Sequence, residues 1–119
     1  MLRGRVASGK GDLAYWMRLY AATYAAATGL ALYPGSLNVV LDQPYELPSE
    51  RIRLSAEDVG VDVNLVECST LGRRAFIFRT DADDAKGPRQ RVLIEILSDV
   101  RLRDPYGLSD GDLVLIDAP

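Results

Sequence analysis

No histidine occurs among the 119 residues, and cysteine occurs once, at Cys68. The first absence removes the commonest neutral-pH acid and base, every Ser-His or Cys-His nucleophile pair and most zinc arrangements. Chemistry in this chain must rest on carboxylates, hydroxyls, amides, a metal ion or simple positioning. A single cysteine excludes an internal disulfide and fits a reducing compartment. With no base to activate it, Cys68 reads as a small buried apolar residue. No apolar run reaches membrane-spanning length, and no charged-then-apolar leader opens the sequence, so a cytoplasmic protein without membrane contact is expected. Positive charge is also short: 14 Lys and Arg against 17 Asp and Glu leave a formal net charge of −3. Affinity for a nucleic-acid backbone needs the opposite balance, so no nucleic-acid partner is expected.

What remains is enough for one hydrophobic core, and the 119 residues are read as a single domain spanning 1–119. No repeat, linker or low-complexity tract interrupts it. Arg3 to Ser8 reads as a first strand. From Leu13 to Thr28 the apolar residues, among them Trp16, Leu19, Tyr20 and Ala27, recur at intervals of three and four, as an amphipathic helix requires. Asp12 is placed to cap its start and Gly29 to take the left-handed conformation past its end. The helical spacing assigns most of Tyr15, Trp16, Tyr20, Tyr24 and Tyr33 to core packing.

The rest reads as β. Candidate strands are Leu37 to Leu41, Ile52 to Leu54, Val59 to Glu67, Ala75 to Thr80, Val92 to Leu97 and Leu113 to Ile116. Asp81 to Gln90 has the composition of a polar loop, and Ser109-Asp110-Gly111-Asp112 that of a turn with glycine at positive φ. Arg51-Arg53 and Arg73-Arg74 read as solvated strand faces. Short strands, one helix after the first strand and no βαβ rhythm favour a small, mainly β barrel over a doubly wound sheet.

Three segments carry chemistry. Gly9-Lys10-Gly11-Asp12 stands between a strand and a helix start, where backbone N–H groups and the helix dipole can receive an anion; a tight strand-to-helix turn is the plain alternative. In Pro34-Gly35-Ser36-Leu37-Asn38, the Ser36 hydroxyl and Asn38 amide oxygen are two residues apart and point to one side of an extended segment. Both are hard oxygen ligands suited to magnesium, although a capped turn uses the same residues. Glu95 lies between Ile94 and Ile96 and faces away from both. It is either on a solvent face or at a barrel mouth, where it can accept a hydrogen bond and a proton from a substrate hydroxyl.

Together these segments resemble the CTP-dependent riboflavin kinases known mainly from archaea, and the resemblance runs almost end to end. Gly4, Val6, Ser8, Gly9, Gly11 and Tyr15 match the surroundings of that family's phosphate loop. Tyr33-Pro34-Gly35-Ser36-Leu37-Asn38 is similar to its metal-binding segment, with serine for threonine. Ile94 to Arg103 is similar to its Ile-Glu-Ile-Ile-Ala-Pro-x-x-Leu-Arg. The resemblance implies a six-stranded cradle-loop barrel that transfers the γ-phosphoryl of CTP to riboflavin, giving FMN and CDP. Gly9, Lys10, Gly11, Asp12, Leu13 and Ala14 would hold the nucleotide phosphates, and Val100, Arg101, Leu102 and Arg103 the cytidine side. Ser36 and Asn38 would bind Mg2+, Thr80 and Glu95 would contact the flavin, and Glu95 would act in catalysis. Leu13 and Ala14 replace a family glycine and arginine, leaving Lys10 or Arg18 to supply the charge, and Ser98-Asp99 replaces Ala-Pro. A catalytically silent flavin- or nucleotide-binding barrel, and more remotely a small-barrel DNA-binding regulator, are the competing expectations.

Overall fold

A computed structural model describes residues 1–9 and 12–119; Lys10 and Gly11 lie outside the described residues. The strands are β1 (Leu2–Ala7), β2 (Leu37–Leu41), β3 (Ile52–Leu54), β4 (Val63–Thr70), β5 (Arg73–Thr80), β6 (Leu93–Leu97) and β7 (Leu113–Asp117). The order β4-β5-β6-β2-β1-β7 is antiparallel throughout, and β7 returns to pair with β4. Six strands thus close into a barrel, which removes the exposed edges an open sheet would leave. The seventh, β3, joins the first half of β4 through Ile52↔Leu65, while the far end of β4 pairs β7 through Thr70↔Ile116. Gly4 is needed where β1 crosses β2, because a Cβ there would stand 2.5 Å from the Val40 carbonyl oxygen.

Side-chain alternation divides the apolar residues between two cores. Val6, Val39, Val66, Ile77, Ile94, Ile96, Val114 and Ile116 converge from all six strands and fill the barrel. Neighbours of opposite parity, Leu65, Phe76, Phe78 and Leu97, form a second core outside the wall with Met17, Tyr24 and Val59. That outer core is covered by three helices, α1 (Leu13–Leu19), α2 (Ala21–Thr28) and α3 (Ala56–Val59). Cys68 is buried, as expected, and burial pushes its thiol up to about 12.

The expected single helix is therefore two. Tyr20 leaves helical geometry at φ −112°, ψ 27°, although backbone bonds Tyr20 to Trp16 and Tyr24 to Tyr20 run across the break at 3.1 Å each. On either side of the break, α1 buries Met17 and α2 buries Tyr24 in the same outer core. Gly29 ends α2 at φ 74°, donating to the Ala25 carbonyl, as its position suggested. Asp12, however, has αR backbone geometry and makes no side-chain cap bond. The strand expected from Val59 begins only at Val63, because Ala56–Val59 is a helical turn stopped by Gly60 at φ 89°. The polar stretch after Thr80 is not loop throughout: it contains α4 (Asp81–Asp84) and α5 (Pro88–Arg91). Thr80 caps α4 by accepting from the Asp83 amide at 3.1 Å. One further helical turn, α6 (Arg103–Tyr106), precedes β7.

The α4–α5 segment is tied to the barrel by buried polar chemistry. Asn64, 0% exposed, accepts from Arg51 Nε at 2.8 Å and Arg53 Nη1 at 2.6 Å. Its amide donates to the Arg79 carbonyl at 3.1 Å and Asp81 Oδ1 at 2.7 Å. Arg53 also grips Asp81 from the side, so this arginine pair serves a network and not merely a solvated face. Arg79, buried beneath the same segment, reaches the Tyr45 and Arg91 carbonyls and pairs with Asp84 at 3.1 Å. A buried hub is costly to remove because its partners lose their bonds without regaining water. Asn64→Ala should destabilise the fold by about 2–4 kcal/mol in urea unfolding; a cost below about 0.5 kcal/mol would show that the network is ornamental.

Candidate active site

The site is built on one row of paired residues. Across β1, β2, β6 and β5 the register aligns Ala7 with Asn38, Asn38 with Glu95 and Glu95 with Phe78. Their parity is opposite to Val39, Ile94 and Ile77 inside the barrel, so Asn38 and Glu95 emerge on the outer wall. The barrel mouth suggested by sequence is thus corrected. The cavity lies between the wall and its helical cover, because the barrel interior is already filled with aliphatic side chains.

Two cavities meet at this row. The larger, about 640 Å³, is bordered by Leu13, Trp16, Tyr24, Val59, Val61 and Phe78 on apolar ground and by Thr80, Asp83, Lys86 and Gln90 from the α4–α5 side. The smaller, about 420 Å³, is bordered by Ala14, Gly35, Ser36, Arg101 and Arg103. Ser8, Gly9, Leu13, Asn38 and Glu95 border both. One compartment offers an apolar side facing a polar one, the other two guanidinium groups, with a carboxylate and an amide at their junction.

Local packing fixes the junction. A Cβ on Gly9 would lie 2.2 Å from Asn38 Nδ2, so only glycine lets the chain leaving β1 pass over that amide. Ser36 Oγ donates to Glu95 Oε1 at 3.4 Å, bringing Ser36, Asn38 and Glu95 to one wall. Gly35 turns at φ 132° and its amide meets Met17 Sδ at 3.2 Å, anchoring the Ser36 turn to α1. Arg103 is held at the rim by Asp110 Oδ1 at 2.6 Å and the Ala7 carbonyl at 3.2 Å. Asp110 also accepts from Ser8; that bond and the Arg103 charge hold its carboxyl below the usual range. The turn carrying Asp110 has Gly111 at φ 90°, as its sequence indicated.

The other sequence candidates fall around the same cavities. Thr80 borders the larger one while capping α4. Val100 and Leu102 border a narrow cleft beside Ser36, Arg101 and Arg103, and the Leu102 side chain itself is buried in the barrel core. Asp12, Leu13 and Ala14 line the cavities, whereas Lys10 and Gly11 lie outside the described residues. Arg18 is on the exposed face of α1, and Arg101 and Arg103 border the smaller cavity in its stead. Ser98 is buried and donates to the Arg74 carbonyl at 2.9 Å, and Asp99 pairs with Arg73 at 3.1 Å. This departure from Ala-Pro thus fastens β6 to β5. The aromatic assignment needs correction: Tyr24 is buried, but Tyr15 and Trp16 are 62% and 47% exposed, and Tyr33 is exposed as well. Trp16, which periodicity assigned to core packing, and Lys86 and Gln90, which the sequence placed in a polar loop, line the site.

Comparison with known proteins gives this geometry a context. Residues 6–118 match the family model CTP-dep_RFKase, described as "Domain of unknown function DUF120". The chain belongs to this family. It is 32% identical over 121 residues to a riboflavin kinase of Methanocella arvoryzae, covering 96% of this chain and 55% of that protein. A riboflavin kinase of Pyrobaculum arsenaticum is 32% identical over 125 residues, covering 98% and 59% respectively. The chain therefore spans little more than half the length of these two relatives. A riboflavin kinase of Aeropyrum pernix, 30% identical, is covered over 92% of its length. Among the described residues, no helix is long and apolar enough to cross a membrane.

Glu95 has its acidity altered by its place in the wall. Burial pushes its carboxyl above the ordinary glutamate value, with Asp83 and Asp12 adding to the rise and the Ser36 bond opposing it. A carboxyl raised by folding holds its proton more tightly folded than unfolded. Its contribution favours the fold below the usual glutamate range and is lost as pH climbs through the raised value. Ionised Glu95 is accordingly a cost to folding at neutral pH. The stability of Glu95→Gln relative to wild type should rise between pH 4 and pH 7, by urea titration at both; a difference that stays constant or falls would contradict the raised pKa of this half-buried carboxyl.

Proposed function

We propose that this chain, acting as a single barrel domain, is a CTP-dependent riboflavin kinase that converts riboflavin and CTP to FMN and CDP. The observation that carries the reading is the meeting, at Asn38 and Glu95, of a cavity with one apolar side and a cavity bordered by two arginines. A flavin suits the first compartment and a nucleotide triphosphate the second, with the acceptor hydroxyl and γ-phosphorus at their junction. The kinship with archaeal riboflavin kinases supports the same assignment.

The 5′-hydroxyl oxygen of riboflavin forms a bond to the γ-phosphorus as the bond from that phosphorus to the bridging β,γ-oxygen breaks, and CDP leaves with the bonding pair. The hydroxyl proton passes to a Glu95 carboxylate oxygen, whose raised pKa makes it a better acceptor than an ordinary glutamate. Arg101 and Arg103 set positive charge against the phosphates, and Asp110 keeps Arg103 oriented. Gly9, lacking a Cβ, lets the chain leaving β1 lie directly against the Asn38 amide at the junction. The oxygens of Ser36 and Asn38 share one cavity wall beside Glu95, a donor set that fits magnesium. Bound there with the nucleotide, magnesium would supply neutralisation of phosphate charge. Catalysis is then largely positioning and electrostatics, as expected for phosphoryl transfer.

Incubation with riboflavin, magnesium and each nucleoside triphosphate should yield FMN, with CTP outperforming ATP. A clear ATP preference would overturn the nucleotide assignment, and flavin binding without turnover would favour the silent-barrel alternative. Asn38→Ala should abolish turnover while shifting the melting temperature by no more than a few degrees. Glu95→Gln should lower turnover by about 10²-fold or more with nucleotide binding retained. Full activity in both variants would remove the junction from the mechanism.

A further inference from the structure

Trp16 is a large apolar side chain that the fold leaves half uncovered at the edge of the larger cavity. It is nevertheless well held. The Tyr20 ring lies 6.4 Å away and nearly parallel, at 7°, and Tyr15 meets Trp16 edge-on at 5.1 Å. Gly60 backs the pair: a Cβ there would touch Tyr20 at 3.5 Å and Trp16 Cε3 at 3.8 Å. The bend at Tyr20 separates α1, which brings Trp16 to the cavity, from α2, which brings Tyr24. Val61, also half exposed, borders the same space from the α3–β4 turn. An indole fixed in orientation, partly uncovered and standing on the apolar side of a cavity is a platform for another planar aromatic group, because stacking adds to area burial.

We infer that Trp16 stacks on the tricyclic ring of the flavin and is the residue by which this chain recognises a planar aromatic acceptor. The inference rests on the riboflavin reading above and adds to it the residue that selects for the ring. The platform acts on affinity for the ring and takes no part in proton transfer. Its loss should raise KM for riboflavin with kcat much less affected.

Trp16 is the only tryptophan in the chain, so its emission reports on this position alone. Wild-type protein should show quenching of that emission by riboflavin and also by lumiflavin, which carries the ring without the ribityl chain, but little change with CTP alone. Trp16→Ala should weaken riboflavin binding by about tenfold or more, read from flavin fluorescence, and remove any binding-induced change in the visible flavin spectrum. Trp16→Phe should recover most of the affinity, and circular dichroism would verify that both variants fold. Unchanged riboflavin affinity in Trp16→Ala, or wild-type quenching by CTP but not by lumiflavin, would overturn the stacking role while leaving the kinase reading intact. Failure of wild type to bind any flavin would overturn the substrate assignment and this inference together.

Discussion

Strand register is the constraint on which both the barrel and its site depend. The alignment of Ala7, Asn38, Glu95 and Phe78 across four strands puts a polar amide and a carboxylate side by side on the outer wall. The same alignment sends Val39, Ile94 and Ile77 inward. A slip of one residue in β6 would bury Glu95 among the aliphatic side chains and expose Ile94 and Ile96, so hydrophobic burial enforces the geometry of the candidate site. Barrel closure strengthens that enforcement, because a register change in any strand must be matched around the whole ring.

Placing the site outside a filled barrel divides labour between rigid and adaptable parts. The wall supplies fixed positions for Asn38 and Glu95, while the cover is assembled from short helices with few residues each. Such a cover needs tethers, and they are polar. Asn64, Arg53 and Asp81 secure the start of α4, and Arg79 secures the segment from below through Tyr45, Asp84 and Arg91. These bonds position the Thr80, Asp83, Lys86 and Gln90 side of the larger cavity without adding bulk to it.

Features set by local chemistry were legible in the sequence. Gly29 and Gly111 were placed by the positive φ that helix ends and turns require, and the alternation of Ile94, Glu95 and Ile96 fixed the facing of the carboxylate. Ser36 and Asn38 were paired by the two-residue repeat of an extended chain. Features set by tertiary context were harder to read. No Gly or Pro marks the bend at Tyr20. The exposure of Trp16 depends on what packs against α1 in the folded chain, which helical periodicity does not encode. Asn64 sits among apolar neighbours in β4, and its partners come from residues 51, 53, 79 and 81. One missed signal was present: Thr80-Asp81-Ala82-Asp83 has the spacing of a helix N-cap, and α4 begins there.

The acidic balance of the chain sharpens the role of its few well-placed arginines. A net charge of −3 repels a polyphosphate at long range, so attraction must come from local groups. Many of the cations in this fold are committed to ion pairs that hold elements together, as with Arg73 and Asp99 or Arg91 and Glu46. Arg103 is committed too, but its partner Asp110 sits on the rim of the smaller cavity and leaves the guanidinium facing it. Such a clasp costs part of the positive potential and gains a fixed direction, since both a carboxylate and the Ala7 carbonyl hold the fork. For the proposed phosphoryl transfer the exchange would be favourable: a preoriented donor stabilises the charge of a transition state without reorganising when that charge develops.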